Sequence, residues 1–434
     1  MTIATCRTHF VNRMPLGVIL TSVALLCTIT VPAASAQSFN VIYNFTSSST
    51  GSFPVGTTLS RGGVLYGSGQ GGPFEGSCCG GVFSVRRAGT GWVYSPVYAF
   101  PLTGNNGGSP GPVTIGPNGS LYAANGNGGN YGGICGQIGC GNVLNFRPPA
   151  TACTTALCPW SVNVLYSFNN SGTDANMPSP SQNVSFDRNG NLYGTTLFGG
   201  PAGDGTVYML TPSNGGWTET ILYSFSGGAD GGVPYGGVTL DAAGNVYGTT
   251  TAGGTTNNGT VFELSPSGSG WTEKVLYSFQ NGSDGSQPSG DLVFDSSGNL
   301  YGTASIGGTA GGGTVFELTP SGDSWTFNLI YALAGVNGSF GPIAGPTFDA
   351  AGNLYGTTVG DGAFHEGSVF KLTRSGEGWI YSDLHDFTGG NDGEQAYGGV
   401  SIDSNGNIYG TAKYGGPNRC SDGASCGVVF EITQ

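Results

Sequence analysis

The chain has 434 residues, of which 83 are Gly, 9 % are charged and 11 % are aromatic, and its formal net charge is −13. Glycine at about 19 % (83 of 434) penalises helix interiors and excludes a long-helix architecture, while 38 % hydrophobic residues are too many for a chain that buries no core. What remains is an all-β fold with Gly-rich turns.

Residues 1–36 read as a signal peptide. Arg7 and Arg13 precede an apolar run from Leu16 to Val31, and Ala34-Ser35-Ala36 supplies the small-x-small pattern that a signal peptidase cleaves after. The run is shorter than the roughly 20 residues a bilayer needs. A start at Met14 would shorten the leader without changing its meaning. The expected product is secreted, extracellular or periplasmic, with no membrane insertion after cleavage, because no second hydrophobic stretch lies near the C-terminal end. Removing Arg7 and Arg13 from twelve Lys and Arg leaves ten against 25 Asp and Glu. With no basic run to neutralise phosphates, nucleic acid is not an expected partner.

Residues 37–434 repeat. A Leu/Val/Ile-Tyr pair, usually after Gly-Asn and before Gly-Thr, recurs with its tyrosine at 66, 122, 193, 247, 301, 355 and 409, at intervals of 56, 71, 54, 54, 54 and 54 residues. Each copy holds four segments rich in β-branched and aromatic residues, as in Gly237-Val238-Thr239-Leu240, Val246 to Thr250, Thr260 to Leu264 and Trp271 to Phe279. The first link, Asp241-Ala242-Ala243-Gly244-Asn245, is a tight hairpin, since Asp caps a turn through its side chain and Gly accepts positive φ. The third, Ser265 to Gly270, is another short reversal. The second and fourth links are longer and richest in Gly, Asp and Asn.

Seven four-stranded antiparallel units predict a seven-bladed β-propeller, in which each sheet buries both faces against its neighbours. The phase predicts closure. Val41-Ile42-Tyr43-Asn44-Phe45 matches a fourth strand (Val275 to Phe279) and Val428 to Ile432 matches a third, so the N-terminal strand completes the last blade. A linear β-solenoid, the rival architecture, repeats in fewer residues and needs end caps that are absent. Trp92, Trp160, Trp217, Trp271, Trp325 and Trp379 each stand six residues before the Tyr-x-Phe position of a fourth strand. That regularity predicts packing between blades rather than a set of sugar-stacking platforms.

The composite pattern Asp-x-x-Gly-Asn-Leu-Tyr-Gly-Thr-Thr, Gly-Thr-Val-Phe-Glu-Leu-Thr-Pro-Ser-Gly, Trp, Leu-Tyr-Ser-Phe, best seen from Asp241 to Phe279 and from Asp295 to Tyr331, resembles the GloVer (Gloeo–Verruco) tandem repeat of exported bacterial proteins. The resemblance covers residues 39–434, and the first two copies depart from it by lacking the leading Asp. It implies an extracellular or surface repeat protein without implying a chemistry. Members often carry a C-terminal sorting or anchor segment, which this sequence does not show before Gln434.

Cys6 and Cys27 leave with the leader, and the remaining eight follow loop growth. The Tyr-to-Val spacing across the second link is 14 in the regular repeat (Tyr247 to Val261), 21 in copy two and 20 in copy seven; these longer loops contain Cys135/Cys140 and Cys420/Cys426. The third link of copy two grows from 10 to 17 (Val143 to Trp160) and contains Cys153/Cys158. Local disulfides in an exported chain are expected, and the spacings argue against a zinc site. Cys78 and Cys79 pair either with each other or with cysteines of adjacent loops.

Candidate chemistry is sparse. The second and fourth links emerge on one face of a propeller, the usual binding face. There Asp174, Asp230, Asp284 and Asp392 are the candidate binding residues. Calcium is the one metal their chemistry would suit, but Asp-x-Asp-x-Asp-Gly spacing is missing, so Asp-Gly turns are expected and no cofactor is assigned. Asp187, Asp241, Asp295, Asp349 and Asp403 are expected to cap first hairpins. His385 takes a packing position held by Tyr in other copies. His365, within Asp361-Gly362-Ala363-Phe364-His365-Glu366, is the one histidine in a long loop; Asp361, His365 and Glu366 are the candidate acid/base residues. No Gly-x-Ser-x-Gly, P-loop or dinucleotide fingerprint is present. The expected function is a binding or scaffold module for a polysaccharide, cell-surface component or protein, acting as a monomer through the long-loop face. The alternative is an extracellular propeller enzyme, a hydrolase or lyase acting on sugars.

Overall fold

Each copy of the repeat folds into one sheet. In copy four the strands are a (Thr239–Leu240), b (Val246–Thr250), c (Thr260–Ser267) and d (Gly270–Ser278), hydrogen-bonded in the order a-b-c-d and all antiparallel. The computed structural model describes residues 37–434 except 48, 72–79, 102–107, 131–134, 136–138, 150–159, 170–174, 180–182, 336–339, 377 and 421–422. Among the described residues there are seven such sheets, the blades of a β-propeller: 52–99, 114–167, 175–224, 239–278, 286–334, 347–386 and 401–433. Blade 7 takes its d strand, Ser38–Asn44, from the N-terminal end; Ser38 faces Thr433 and Asn44 faces Val428. Among the described residues no helix is long and apolar enough to cross a membrane.

The repeated Leu-Tyr-Gly-Thr-Thr of strand b has a physical reason at every position. In blade 4, Val246 is fully buried. The Tyr247 hydroxyl donates to Asp241 Oδ2 at 3.2 Å, while Asp241 Oδ1 accepts the Ala243 and Asn245 N–H groups, so the first hairpin is closed by one carboxylate. Asp187, Asp295, Asp349 and Asp403 repeat this arrangement in blades 3, 5, 6 and 7. At Gly248 an added Cβ would lie 2.6 Å from the Phe262 ring, so glycine here makes room for an aromatic ring. The Thr250 hydroxyl meets that of Thr260 on strand c at 2.8 Å.

Thr249 works between blades. Its hydroxyl donates to the Gly290 carbonyl of blade 5, and Ser68, Thr195, Thr303 and Thr357 make the same bond from their blades to the next. A second tier lies on strand a: Thr58 donates to the Val113 carbonyl, Ser185 to Val238, Thr239 to Leu292, Thr347 to Val400, and Ser401 across the chain ends to Thr57.

Farther out, aromatic rings fill the gaps. Trp92, Trp160, Trp325 and Trp379 stand edge-on against Tyr409, Tyr66, Tyr247 and Tyr301 of the preceding blades, with centroids 5.7–6.1 Å apart. Trp217 and Trp271 join the buried clusters that contain Tyr122 and Tyr193. The tryptophans therefore pack between blades. Every d strand also carries a β-bulge, at Ile42, Val97, Leu165, Leu222, Leu276, Ile330 and Leu384. A bulge increases local twist. The residue after it meets the next d strand, as in the stacks Tyr43 on Tyr94, Tyr277 on Phe327 and Tyr331 on Tyr381 at 4.3–4.4 Å. His385 joins this set, stacked on Phe39 at 3.6 Å.

The third link is shorter than the sequence predicts. Strand c runs on to Ser267, leaving only Gly268 and Ser269 between the strands. Pro266 is tolerated because strand b ends opposite Leu264, so the missing N–H faces an open edge.

Replacing Gly248 with Ala should destabilise the propeller by about 1–3 kcal/mol, because the Phe262 ring has no room to withdraw. Chemical denaturation measures this. Gly268→Ala, where no atom lies within 4 Å but φ is +60°, should cost only about 1 kcal/mol.

Candidate functional site

The inner strands run from the long-loop face to the hairpin face, so the residues two places before Thr58, Thr114, Ser185, Thr239, Val293, Thr347 and Ser401 of strand a stand at the channel end on the long-loop side. Those seven residues are Gly56, Pro112, Asn183, Gly237, Asp291, Gly345 and Gly399. Only two have polar side chains. Asn183 Nδ2 donates to Asp291 Oδ2 at 2.7 Å, and the Gly237 N–H between them donates to Asp291 Oδ1 at 2.6 Å. A Cβ on Gly237 would lie 2.3 Å from the Asn183 carbonyl, so the bridge requires glycine in the intervening blade.

The pair lines an axial cavity of about 400 Å³, together with the hydroxyl residues of strand a and Tyr397. Burial pushes the Asp291 carboxyl up, against the hydrogen bonds from Asn183 and Gly237 that favour its charged form. Tyr397 is raised by burial too, with Tyr414 and Tyr235 adding to the effect. The Lys413 ammonium sits 4.5 Å from the centre of the Tyr397 ring and 5.5 Å from that of Tyr414, and burial lowers its pKa. Phe198, near the end of strand b of blade 3, and Phe340 and Phe364, in the links, are exposed.

The acidic residues singled out in the sequence lie elsewhere. Asp230 accepts from Ser226 N, Ser226 Oγ and Tyr223; Asp284 from Gln280 N, Gly282 N and Tyr277; Asp392 from Thr388 N, Thr388 Oγ1 and His385. Each closes its own fourth-link turn. Asp174 lies outside the described residues, as do Cys78, Cys79, Cys153 and Cys158. Cys135–Cys140 and Cys420–Cys426 are disulfide-bonded within enlarged second links.

Asp361, His365 and Glu366 diverge. Asp361 is buried, and burial together with Asp386 raises its carboxyl against the opposing effects of the Gly362 N–H and His365. His365 is exposed at φ 60° with its N–H on the Gly362 carbonyl. The Glu366 carboxylate instead repels that of Glu394 in the fourth link of the same blade, adding to the burial that raises it. Among the described residues no hydrogen bond joins His365 to Glu366, and no cluster of three or more His, Cys, Asp or Glu is arranged to hold a metal ion. None of the three lines the axial cavity.

The Gloeobacter/Verrucomicrobia repeat profile matches residues 136–347 and 311–434. The chain belongs to that repeat family. No functionally curated protein matches it. Similar solved structures include the extracellular domain of a candidate hybrid two-component system from B. thetaiotaomicron, at 12 % identity and TM-score 0.49, over 91 % of this chain but only 41 % of that one. A gluconolactonase from Xanthomonas campestris matches at 12 % identity and TM-score 0.42, over 92 % of this chain and 89 % of that one. A protein of unknown function from Dyadobacter fermentans matches at 12 % and 0.46, over 91 % and 97 %. Identity this low carries no chemistry across, so the family member's site is read from its own residues.

Two carboxyls outside the channel titrate near neutrality. Asp383 is raised to about 7 by burial and by Asp386 and Asp361, and Glu273 to about 7 by burial and by Asp230. A raised carboxyl contributes stability below its unfolded value that is lost as pH climbs through the folded one. Glu273→Gln should therefore raise stability by on the order of 1–2 kcal/mol at pH 8 and change little at pH 4. Thermal melts at the two pH values measure the difference.

Proposed function

We propose that the protein is an exported binding module that takes a hydroxyl-rich glycan, from a polysaccharide or a cell surface, at the channel mouth on its long-loop face. The observation that carries this reading is the Asn183–Asp291 bridge, which breaks a ring of glycine and proline. A carboxylate held by Asn183 and the Gly237 N–H keeps lone pairs for ligand hydroxyls, and Tyr397 offers an aromatic face beside it. Sugars suit that combination. Export is supported by the leader in residues 1–36 and by disulfides that persist in oxidising compartments. The scaffold role follows from the fold: the blades hold the site rigid while the links vary around it.

The test is a glycan array with residues 37–434, followed by calorimetry on the best ligand. Asp291→Ala, which leaves the Asn183 amide and the Gly237 N–H unsatisfied, and, separately, Asn183→Ala, which leaves Asp291 Oδ2 unsatisfied, should each weaken binding by about tenfold or more. Unchanged affinity in both variants would refute the site. Release of shorter sugars in the same assay would instead place the chain among extracellular propeller hydrolases or lyases.

A further inference from the structure

The hairpin face, at the opposite end of the channel, departs from the repeat in a way that the glycan reading does not use. In blades 3 to 7 the landmark tyrosine donates its hydroxyl to the Asp that opens the first hairpin. Blade 1 has Ser60 at that position and blade 2 has Gly116. In blade 2 the Tyr122 hydroxyl is held by Asn118. In blade 1, Ser60 Oγ takes over one of the four bonds made by the missing carboxylate, accepting Val64 N–H at 3.0 Å, and the Tyr66 hydroxyl has no hydrogen bond with any described residue.

Tyr66 opens on a cavity of about 880 Å³ that also contains Arg61 and Arg188. These arginines occupy the same turn position in blades 1 and 3, flanking the equally long Gly116-Pro117 hairpin of blade 2. Both are exposed, and neither forms an ion pair or hydrogen bond with a described residue. The contrast is with Arg87 and Arg374, which are bound to Glu431 and Glu317. Leu59, Ile115 and Phe186 give the cavity an apolar floor, and Asp187, which also lines it, has its carboxylate engaged by Asn189, Asn191 and Tyr193. In a chain of net charge −13, two guanidinium groups and a phenol donor, none with a hydrogen-bond or ion-pair partner among the described residues, form a local anion site.

We propose that this cavity binds a carboxylate-bearing ligand, whose carboxylate takes the place of the hairpin Asp that blade 1 lacks. Tyr66 donates to it as Tyr247 donates to Asp241, the guanidinium groups neutralise it, and the apolar floor takes the adjoining carbon face. A uronate sugar has that combination, either within an acidic polysaccharide or as a free sugar acid.

Residues 37–434 are titrated with oligogalacturonate, with galacturonic acid and with neutral dextran, at low and at roughly 150 mM salt. Saturable binding of a carboxylate probe, weakened by salt, is expected. Arg61→Ala/Arg188→Ala should weaken it by about tenfold or more, and Tyr66→Phe by a few-fold, without lowering the melting temperature. The salt-sensitive component of carboxylate binding should persist when the channel-mouth pair is removed in Asp291→Ala, which separates this site from the channel mouth. Binding of the oligomer alone points to a polymeric source, and binding of both probes to the free acid. No saturable binding of either carboxylate probe, affinity equal to that for dextran, or full affinity in the double arginine variant overturns the proposal.

Discussion

Each blade can bury its faces only against other blades, and the hydroxyl-to-carbonyl bonds between neighbours fix how they meet. Thr249 reaches Gly290 and Thr239 reaches Leu292 in two tiers at one blade junction. A hydroxyl in such a gap is costly when left unpaired, and at these junctions the neighbouring blade supplies a carbonyl; Thr411, at the same position in blade 7, is buried without a partner among the described residues. Glycine at Gly248 and its equivalents lets a strand-c ring slide beneath strand b, and the tryptophans close the periphery. Ser401 donating to Thr57 shows the same bond joining the two ends of the chain.

A ring built in this way makes function a matter of exceptions. Side chains that recur from blade to blade are committed: the hairpin aspartates of blades 3 to 7 hold tyrosines, the described fourth-link aspartates hold their own turns, and the tryptophans pack. What is left free is what the repeat does not prescribe. Asn183 and Asp291 rise where other blades have Gly or Pro, and they meet across Gly237 because that blade contributes no side chain. At the other end, blade 1 lacks a carboxylate and leaves a phenol open between two arginines. The two ends of one channel thus acquire different chemistry from single-residue departures.

The fold was legible because its determinants are local and repeated. The spacing of tyrosines from Tyr193 to Tyr409 announces the blades, the Asp-x-x-Gly-Asn signature announces the first hairpins, and the phase of Val41 to Phe45 announces the closing strand. The third link was read too long because Pro266 suggests a turn in isolation, whereas an open sheet edge accommodates it. The candidate site was not legible from motif chemistry. Asn183 and Asp291 are 108 residues apart and stand in no motif; their only signal is a column of Gly and Pro interrupted twice. The acidic residues of the long loops attracted notice by composition, but a carboxylate beside a Gly turn satisfies local N–H groups before it serves a ligand.

The ring is held shut by its own two ends. Hydrogen exchange on residues 37–434, read by mass spectrometry, tests this directly. Segments 38–44 and 428–433 should exchange together, and as slowly as strands b and c of the interior blades, because their amides are lost to solvent only when the ring opens. Exchange of 38–44 at the rate of an unstructured peptide, with 428–433 and the other blades still protected, would contradict it.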